Sequence, residues 1–317
     1  MMKNLIMNAF ACKEDYATSM QLGGKADAGV LELYMKNIFV SLKSAKLHNP
    51  EDDVMLVTNV ALPRQYEELF AAHDILVKII PFETFVMPKQ FVWSLAFFKL
   101  CALDYVVKHM AYEHIVLLDA DTVTMHPYTD MWQEADEGIM LFEVGHSYSH
   151  PDRWAITDAY HKLYQTKKGS ITHIGGEYVC GRREALIEYM NVCMQIYEDV
   201  KKSGFEVFEH AGDEFILSVA AHKITNVINA SPYIFRYWTE DFYLISTNTV
   251  ANPVCIWHLP SEKDTGMLRL YHYYQKHNCF PEAEKCAKMT GIVKAKRPRN
   301  GYLLANKIHI KIRKWMN

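Results

Sequence analysis

Short apolar runs recur along the chain at Leu5–Ala11, Val54–Thr58, Ile75–Ile80, Ile115–Leu118, Ile139–Phe142, Tyr178–Cys180 and Val254–Trp257. Between them, apolar residues recur at helical spacing over Leu31–Lys46, Pro63–Ala72, Trp93–His109, Arg183–Lys202, Asp213–His222 and Thr265–Lys276. Strand–helix alternation in the first half predicts an α/β fold, a doubly wound sheet with helices on both faces. Ile115–Leu118 is apolar without alternation, as expected of a strand covered on both faces. The apolar start LIMNAFA is broken by Asn8 and runs into Lys13-Glu14-Asp15, so it reads as the first strand and not as a signal peptide.

The Ile115–Leu118 run ends in Asp119-Ala120-Asp121. Residues i and i+2 of an extended chain point the same way, so the two carboxylates converge. Open α/β sheets bind ligands at this carboxyl edge. Converging carboxylates repel unless a cation lies between them, and oxygen ligands suit a hard ion such as Mn²⁺ or Mg²⁺ with positions left for phosphates. The plain alternative is a surface turn with two solvated Asp residues, which the uninterrupted apolar run before them disfavours.

Composition adds bounds. Half of the 317 residues are apolar and 22% are charged, as in ordinary globular proteins. Seven scattered cysteines without a Cys-x-x-Cys pair suggest neither a zinc ribbon nor a disulfide framework, and point to a reducing, cytoplasmic setting. The longest stretch without Asp, Glu, Lys or Arg, Phe242–Ser261, is too polar to span a membrane. The net charge of −3 hides an asymmetry: residues 285–317 hold ten of the 34 Lys and Arg residues and no acidic residue. The chain therefore divides into a body, 1–284, and a basic tail, 285–317. In the tail, Leu304, Ile308, Ile312 and Trp315 share one helical stripe, which fits an interfacial anchor on anionic lipid and a peripheral place at the membrane. A terminal strand, or packing on the acidic body, fits as well. No nucleic-acid partner is expected.

LLDADTV resembles the Asp-x-Asp segment of nucleotide-sugar glycosyltransferases with the GT-A fold. The order of features is similar to glycosyltransferase family 8, the glycogenin and bacterial lipopolysaccharide galactosyltransferase group. In that family a helix with a Lys-Leu pair precedes the Asp-x-Asp strand, and here FVWSLAFFKLCALDYVV carries Lys99-Leu100. The likeness covers roughly residues 4–270, by motif order. It implies a Rossmann-like, doubly wound mixed sheet and a metal-dependent, retaining hexosyltransferase using a UDP-sugar.

The resemblance also assigns residues. AFACKEDYA, with Phe10, Asp15 and Tyr16, is similar to the loop that cups the base, where a Tyr stacks on uracil; a loop Tyr packed on its own domain is the alternative. QLGGKADAG is an insertion, either a lid over the donor or a surface loop. Lys99 either neutralises the diphosphate or orients the sugar, or it snorkels to solvent. Gly175 and Gly176 stand where the family has a segment beneath the donor sugar; a β-bulge competes. His258 corresponds to the third metal ligand beside Asp119 and Asp121. Lys263, five residues on where the family's spacing is one longer, corresponds to a diphosphate contact near Gly266.

Asp213-Glu214 stands where glycogenin-like enzymes have Asp-Gln, and the blood-group transferase pattern has Asp-Glu with Glu as candidate nucleophile. Either carboxylate would face the sugar; Asp213 as a helix N-cap is the structural alternative. The expected acceptor is a saccharide or glycolipid. A non-catalytic nucleotide-sugar-binding or scaffold protein of the same fold is the other reading.

Overall fold

The computed structural model describes residues 3–12, 28–91, 93–205, 212–239 and 253–292. A seven-stranded sheet forms the centre. Its strands are β1 (Leu5–Phe10), β2 (Asp53–Thr58), β3 (Ile75–Ile79), β4 (His114–Leu118), β6 (Ile139–Glu143), β7 (Ile174–Arg182) and β8 (Val227–Asn229), in the order β3-β2-β1-β4-β7-β6-β8. β1 to β4 pair in parallel; β7 is antiparallel to both β4 and β6, and β8 is parallel to β6. The sheet is therefore mixed, as expected. A small second sheet joins β5 (Thr122–Thr124), β10 (Ile256–His258) and β9 (Ile234–Arg236) in that order.

Alternation along each strand builds two cores. Leu5, Met7, Ile115, Leu117 and Val179 face one side, where α3 (Phe98–His109), α6 (Arg183–Lys202) and α7 (Asp213–Lys223) pack. Ile6, Val54, Val116, Leu118 and Tyr178 face the other, covered by α1 (Ala28–His48), α2 (Arg64–Ala71) and α4 (Thr129–Glu134). Both faces of β4 are buried throughout, which is why its sequence shows no polar alternation.

Several elements differ from the sequence expectation: β5, β8, β9 and α4 have no counterpart in it, and three further differences bear on the site. The run expected at Tyr178–Cys180 is the middle of the nine-residue β7, whose start is disguised by Gly175 and Gly176, poor strand formers. α5 (Pro151–Tyr164) went unread because its apolar positions are sparse; it starts at a His150 cap that accepts from the Asp152 amide. α7 is capped by Gly212, so Asp213 is its first helical residue and not its N-cap. The composition break at 285 falls within α9 (Ala283–Met289), whose Cys286 and Ala287 are buried with Trp257 and with Met267 of α8 (Gly266–His277). The remaining tail, 293–317, lies outside the described residues, as do Asp15, Tyr16 and most of the insertion at 21–29. All seven cysteines are free thiols, and among the described residues no helix is long and apolar enough to cross a membrane.

Phe39 of α1 is fully buried and meets the rings of His73, Tyr271 and Tyr274 edge-on, at 5.0, 5.6 and 5.3 Å. Removing it opens a cavity between α1, the turn after α2 and α8. Phe39→Ala should lower unfolding free energy by about 3–5 kcal/mol in urea denaturation.

Candidate active site

β4 delivers the Asp-x-Asp step to the carboxyl edge of the sheet, and the small sheet fixes what meets it there. The Asp119 amide donates to the Glu177 carbonyl of β7 at 3.1 Å, and Asp121 accepts from the Leu259 amide at 2.9 Å. Thr122 is the register partner of His258 across β5 and β10. The chain is thus pinned on both sides of Ala120. His258 Nε2 lies 3.5 Å from Asp121 Oδ2 and 3.8 Å from Asp119 Oδ2.

These three residues fit a divalent cation. One ligand atom from each lies within 4.8 Å of the others. Around an ion with bonds of about 2.1 Å, ligand atoms stand about 3 to 4.2 Å apart, so the observed spacing needs little closing. Two carboxylates and an imidazole suit Mn²⁺ well. The charge balance agrees. Asp119, Asp121, Asp152, Asp213 and Glu214 line one cavity with Lys99, Lys263 and Arg236, and Glu177 is buried behind His258, so carboxylates outnumber Lys and Arg there. A divalent ion offsets part of that excess.

The cations are not on the surface. Lys99 is largely buried and ion-paired at 2.9 Å with both Asp119 and Asp213, and it donates to the Gly176 carbonyl at 2.9 Å. It does not snorkel: burial alone would lower its pKa, but the two carboxylates outweigh this and raise it. Lys263 Nζ is hydrogen-bonded to Asp121. Burial disfavours the Asp121 carboxylate, yet Lys263 and His258 hold its pKa well below the usual range. Among the protein groups alone, burial lowers the His258 pKa, while Asp121 and Glu177 outweigh it and raise it to about 9.

Asp213 and Glu214 open α7 and line the same cavity. Burial raises the Asp213 pKa, against the pull of Lys99. Glu214 goes the other way: burial is outweighed by His173 and Arg236, and its pKa falls to about 2. Its oxygens accept from His173 Nε2 at 2.7 Å, from Arg236 at 2.8 Å and from the Gly176 amide at 3.2 Å.

The cavity so enclosed measures about 440 Å³. Phe10, Lys99, Asp119, Asp121, Gly176, Asp213, Glu214, His258 and Lys263 all line it, so one site gathers nine residues singled out from the sequence. Gly175 and Gly266 stand apart. A Cβ at Gly175 would lie 2.1 Å from Glu177 Oε2, and one at Gly176 would lie 2.5 Å from Asp213 Oδ2. Both glycines make room for charged side chains of the protein. Gly266 starts α8, donates its amide to Glu262 at 3.0 Å and packs against Thr290.

Sequence reasoning missed Glu177 as a buried partner, Arg236, His173 and the cavity-lining Trp93 and Trp238. A lone Glu inside the apolar run of β7 was the available signal for Glu177. Arg236 sits on a three-residue strand with no pattern to reveal it. A second group, His146, His150 and Asp152, also brings ligand atoms together. There the two imidazoles stack with centroids 3.5 Å apart and planes 14° apart. An ion about 2 Å from a nitrogen of each would lie far out of both ring planes, where no lone pair points. His146 is instead bonded to His173 at 3.0 Å.

No protein-family model matches the chain, and no curated protein matches it. Solved structures do. The galactosyltransferase LgtC, in complex with donor and acceptor sugar analogues, matches with a TM-score of 0.56 at 14% identity, over 89% of this chain and 99% of that one. An active-site mutant of LgtC matches at 0.55 and 12% identity, over the same shares. The likeness is one of fold: the chain has the GT-A architecture that its motif order implies.

An ion can bind at His258 only when the ring gives up its proton. Mn²⁺ affinity should therefore rise about tenfold per pH unit below pH 9 and level off above it, with about one proton released per ion bound at pH 7. Calorimetric titration in buffers of different ionisation enthalpy measures both. A flat profile would take His258 out of the ligand set.

Proposed function

We propose that the chain is a metal-dependent, retaining glycosyltransferase that moves a sugar from a UDP-sugar to a saccharide or glycolipid acceptor. The observation that carries this reading is the meeting of Asp119, Asp121 and His258 at the sheet edge, in a cavity that Asp213 and Glu214 also line. A GT-A fold shared with LgtC, whose structure holds donor and acceptor sugar analogues, supports it.

Mn²⁺ or Mg²⁺ held by Asp119, Asp121 and His258 would neutralise the charge that grows on the departing diphosphate. Lys263, on Asp121, is placed to turn toward the same phosphates. Phe10 and Tyr34, with rings 5.1 Å apart, give the cavity an aromatic wall suited to the base. Trp93 and Trp238, 39% and 43% exposed, give it flat faces suited to an acceptor sugar.

In the proposed course the bond from the anomeric carbon to the phosphate oxygen breaks, and its electron pair leaves with UDP. The acceptor hydroxyl oxygen bonds to the same face of that carbon. Its proton passes to the leaving phosphate oxygen, so configuration is retained. Lys99 holds Asp213 beside the sugar, where a carboxylate stabilises positive charge at the anomeric carbon. Attack by Glu214 is the less favoured route, because both its oxygens are engaged and its low pKa makes it a weak nucleophile.

Asp121→Asn, which keeps the side-chain shape, should abolish Mn²⁺-dependent UDP-sugar hydrolysis and leave the far-UV circular dichroism spectrum unchanged. Full activity in EDTA would sink the assignment. Asp213→Asn should lower kcat by about 10²-fold or more with little change in UDP affinity, since the group faces the sugar and not the phosphates. Lost thermal stability with normal specific activity would leave Asp213 a purely structural residue.

A further inference from the structure

His258 has two ring nitrogens, and only one can bind an ion beside Asp119 and Asp121. Its Nε2 faces the two Asp residues, at 3.8 and 3.5 Å. Its Nδ1 faces Glu177 Oε1 at 3.1 Å. Glu177 is fully buried in β7 and paired through both oxygens with Arg236, whose Nε donates to Oε1 at 2.6 Å and whose second nitrogen donates to Oε2. A carboxylate locked in such a fork is ionised and can only accept hydrogen bonds. The proton on the neutral ring must therefore sit on Nδ1, and the lone pair on Nε2.

The pairing is built into the fold. Arg236 of β9 is the register partner of His258 on β10, so the same two strands supply the imidazole and the cation that holds its carboxylate. Gly175 leaves the space for it, because a Cβ there would lie 2.1 Å from Glu177 Oε2 and 2.6 Å from Arg236. Burying a carboxylate in mid-strand, with a guanidinium mostly buried against it, is costly unless each is paired. A plain apolar residue at 177 would serve the core better.

We propose that Glu177 is the positioning residue of the cation site: it fixes the His258 tautomer, aims Nε2 at the ion and strengthens that nitrogen as a donor, with Arg236 holding Glu177 in turn. The inference rests on the cation-site reading above. Carboxylates behind metal-bound imidazoles act in this way, and losing one weakens metal binding by about 10- to 100-fold. Arg236 also reaches Glu214 at 2.8 Å, so the ion side and the sugar side of the cavity share one guanidinium.

The test is Mn²⁺ titration of the full chain by calorimetry, without sugar nucleotide, on wild type, Asp119→Asn and Glu177→Gln. Gln keeps the volume and removes the charge. The expected result is tight binding by wild type, loss in Asp119→Asn, and a 10- to 100-fold weaker Kd in Glu177→Gln. If wild type binds no Mn²⁺, the cation-site reading fails and this inference falls with it. If Asp119→Asn loses binding while Glu177→Gln keeps the wild-type Kd, and loses only melting temperature, the site stands and the positioning role is overturned. Should Glu177→Gln fail to fold, nitrogen NMR of wild type with Zn²⁺ as a diamagnetic probe decides. A protonated Nδ1 and a metal-bound Nε2 on His258 support the proposal, and the reverse overturns it.

Discussion

Five clustered carboxylates, Asp119, Asp121, Asp213 and Glu214 lining one cavity and Glu177 buried behind His258, are the constraint on which the rest of the site depends. Asp121 and Glu177 are about 1% exposed, so water cannot screen them. The fold answers with three long cations brought from distant elements: Lys99 from α3, Lys263 from the turn before α8, and Arg236 from β9. Each cation bridges or completes a pair. Lys99 ties Asp119 to Asp213, and Arg236 ties Glu177 to Glu214. Carboxylates still outnumber the Lys and Arg side chains, and two of them, Asp119 and Asp121, meet at His258. A site stabilised this way resists rearrangement, because moving any one charge leaves another buried and unpaired.

The small sheet explains why such a cluster forms at a strand end at all. β5 leaves β4 after only three residues, and it turns away to pair with β10. Ser41 of α1 shares a hydrogen bond of 2.7 Å with Thr122, and Ser44 accepts from the Thr124 amide at 3.0 Å. The Asp-x-Asp step is thus held by both sheets and by α1, the longest helix among the described residues. The positions of its carboxylates follow from backbone pairing and need no flexible loop. Precision of this kind suits a cation whose ligands must stand within tenths of an ångström.

Local patterns revealed the core of the fold. β4 was legible because it is apolar on both faces, and α1, α3 and α6 because their apolar stripes are long. α5 and two strands of the small sheet, β5 and β9, were not: strands of three residues carry too few positions to show a period, and β10 showed only through the apolar run at Val254–Trp257. The two Asp residues were readable from spacing alone. His258, Lys99 and Lys263 needed the resemblance, since each is a single residue whose neighbours in space lie more than a hundred residues away or on another element. Glu177 and Arg236 were hidden for the same reason, and they join through a register between strands that no sequence window contains.

The Gly-Gly step shows how a correct location can come with the wrong cause. Adjacent glycines at 175 and 176 suggest a backbone that a ligand approaches closely. In the structure each missing Cβ is replaced by one of the protein's own charges, the Glu177–Arg236 pair beside Gly175 and the Lys99–Asp213 pair beside Gly176. The strand gives up propensity and packing at two positions so that two buried ion pairs can cross its face. Those pairs then set the orientation of His258 on one side and of Asp213 on the other. Glycine here stabilises the site by what it leaves out, and the cost in strand propensity falls on β7, which is flanked on both edges by β4 and β6 and can bear it.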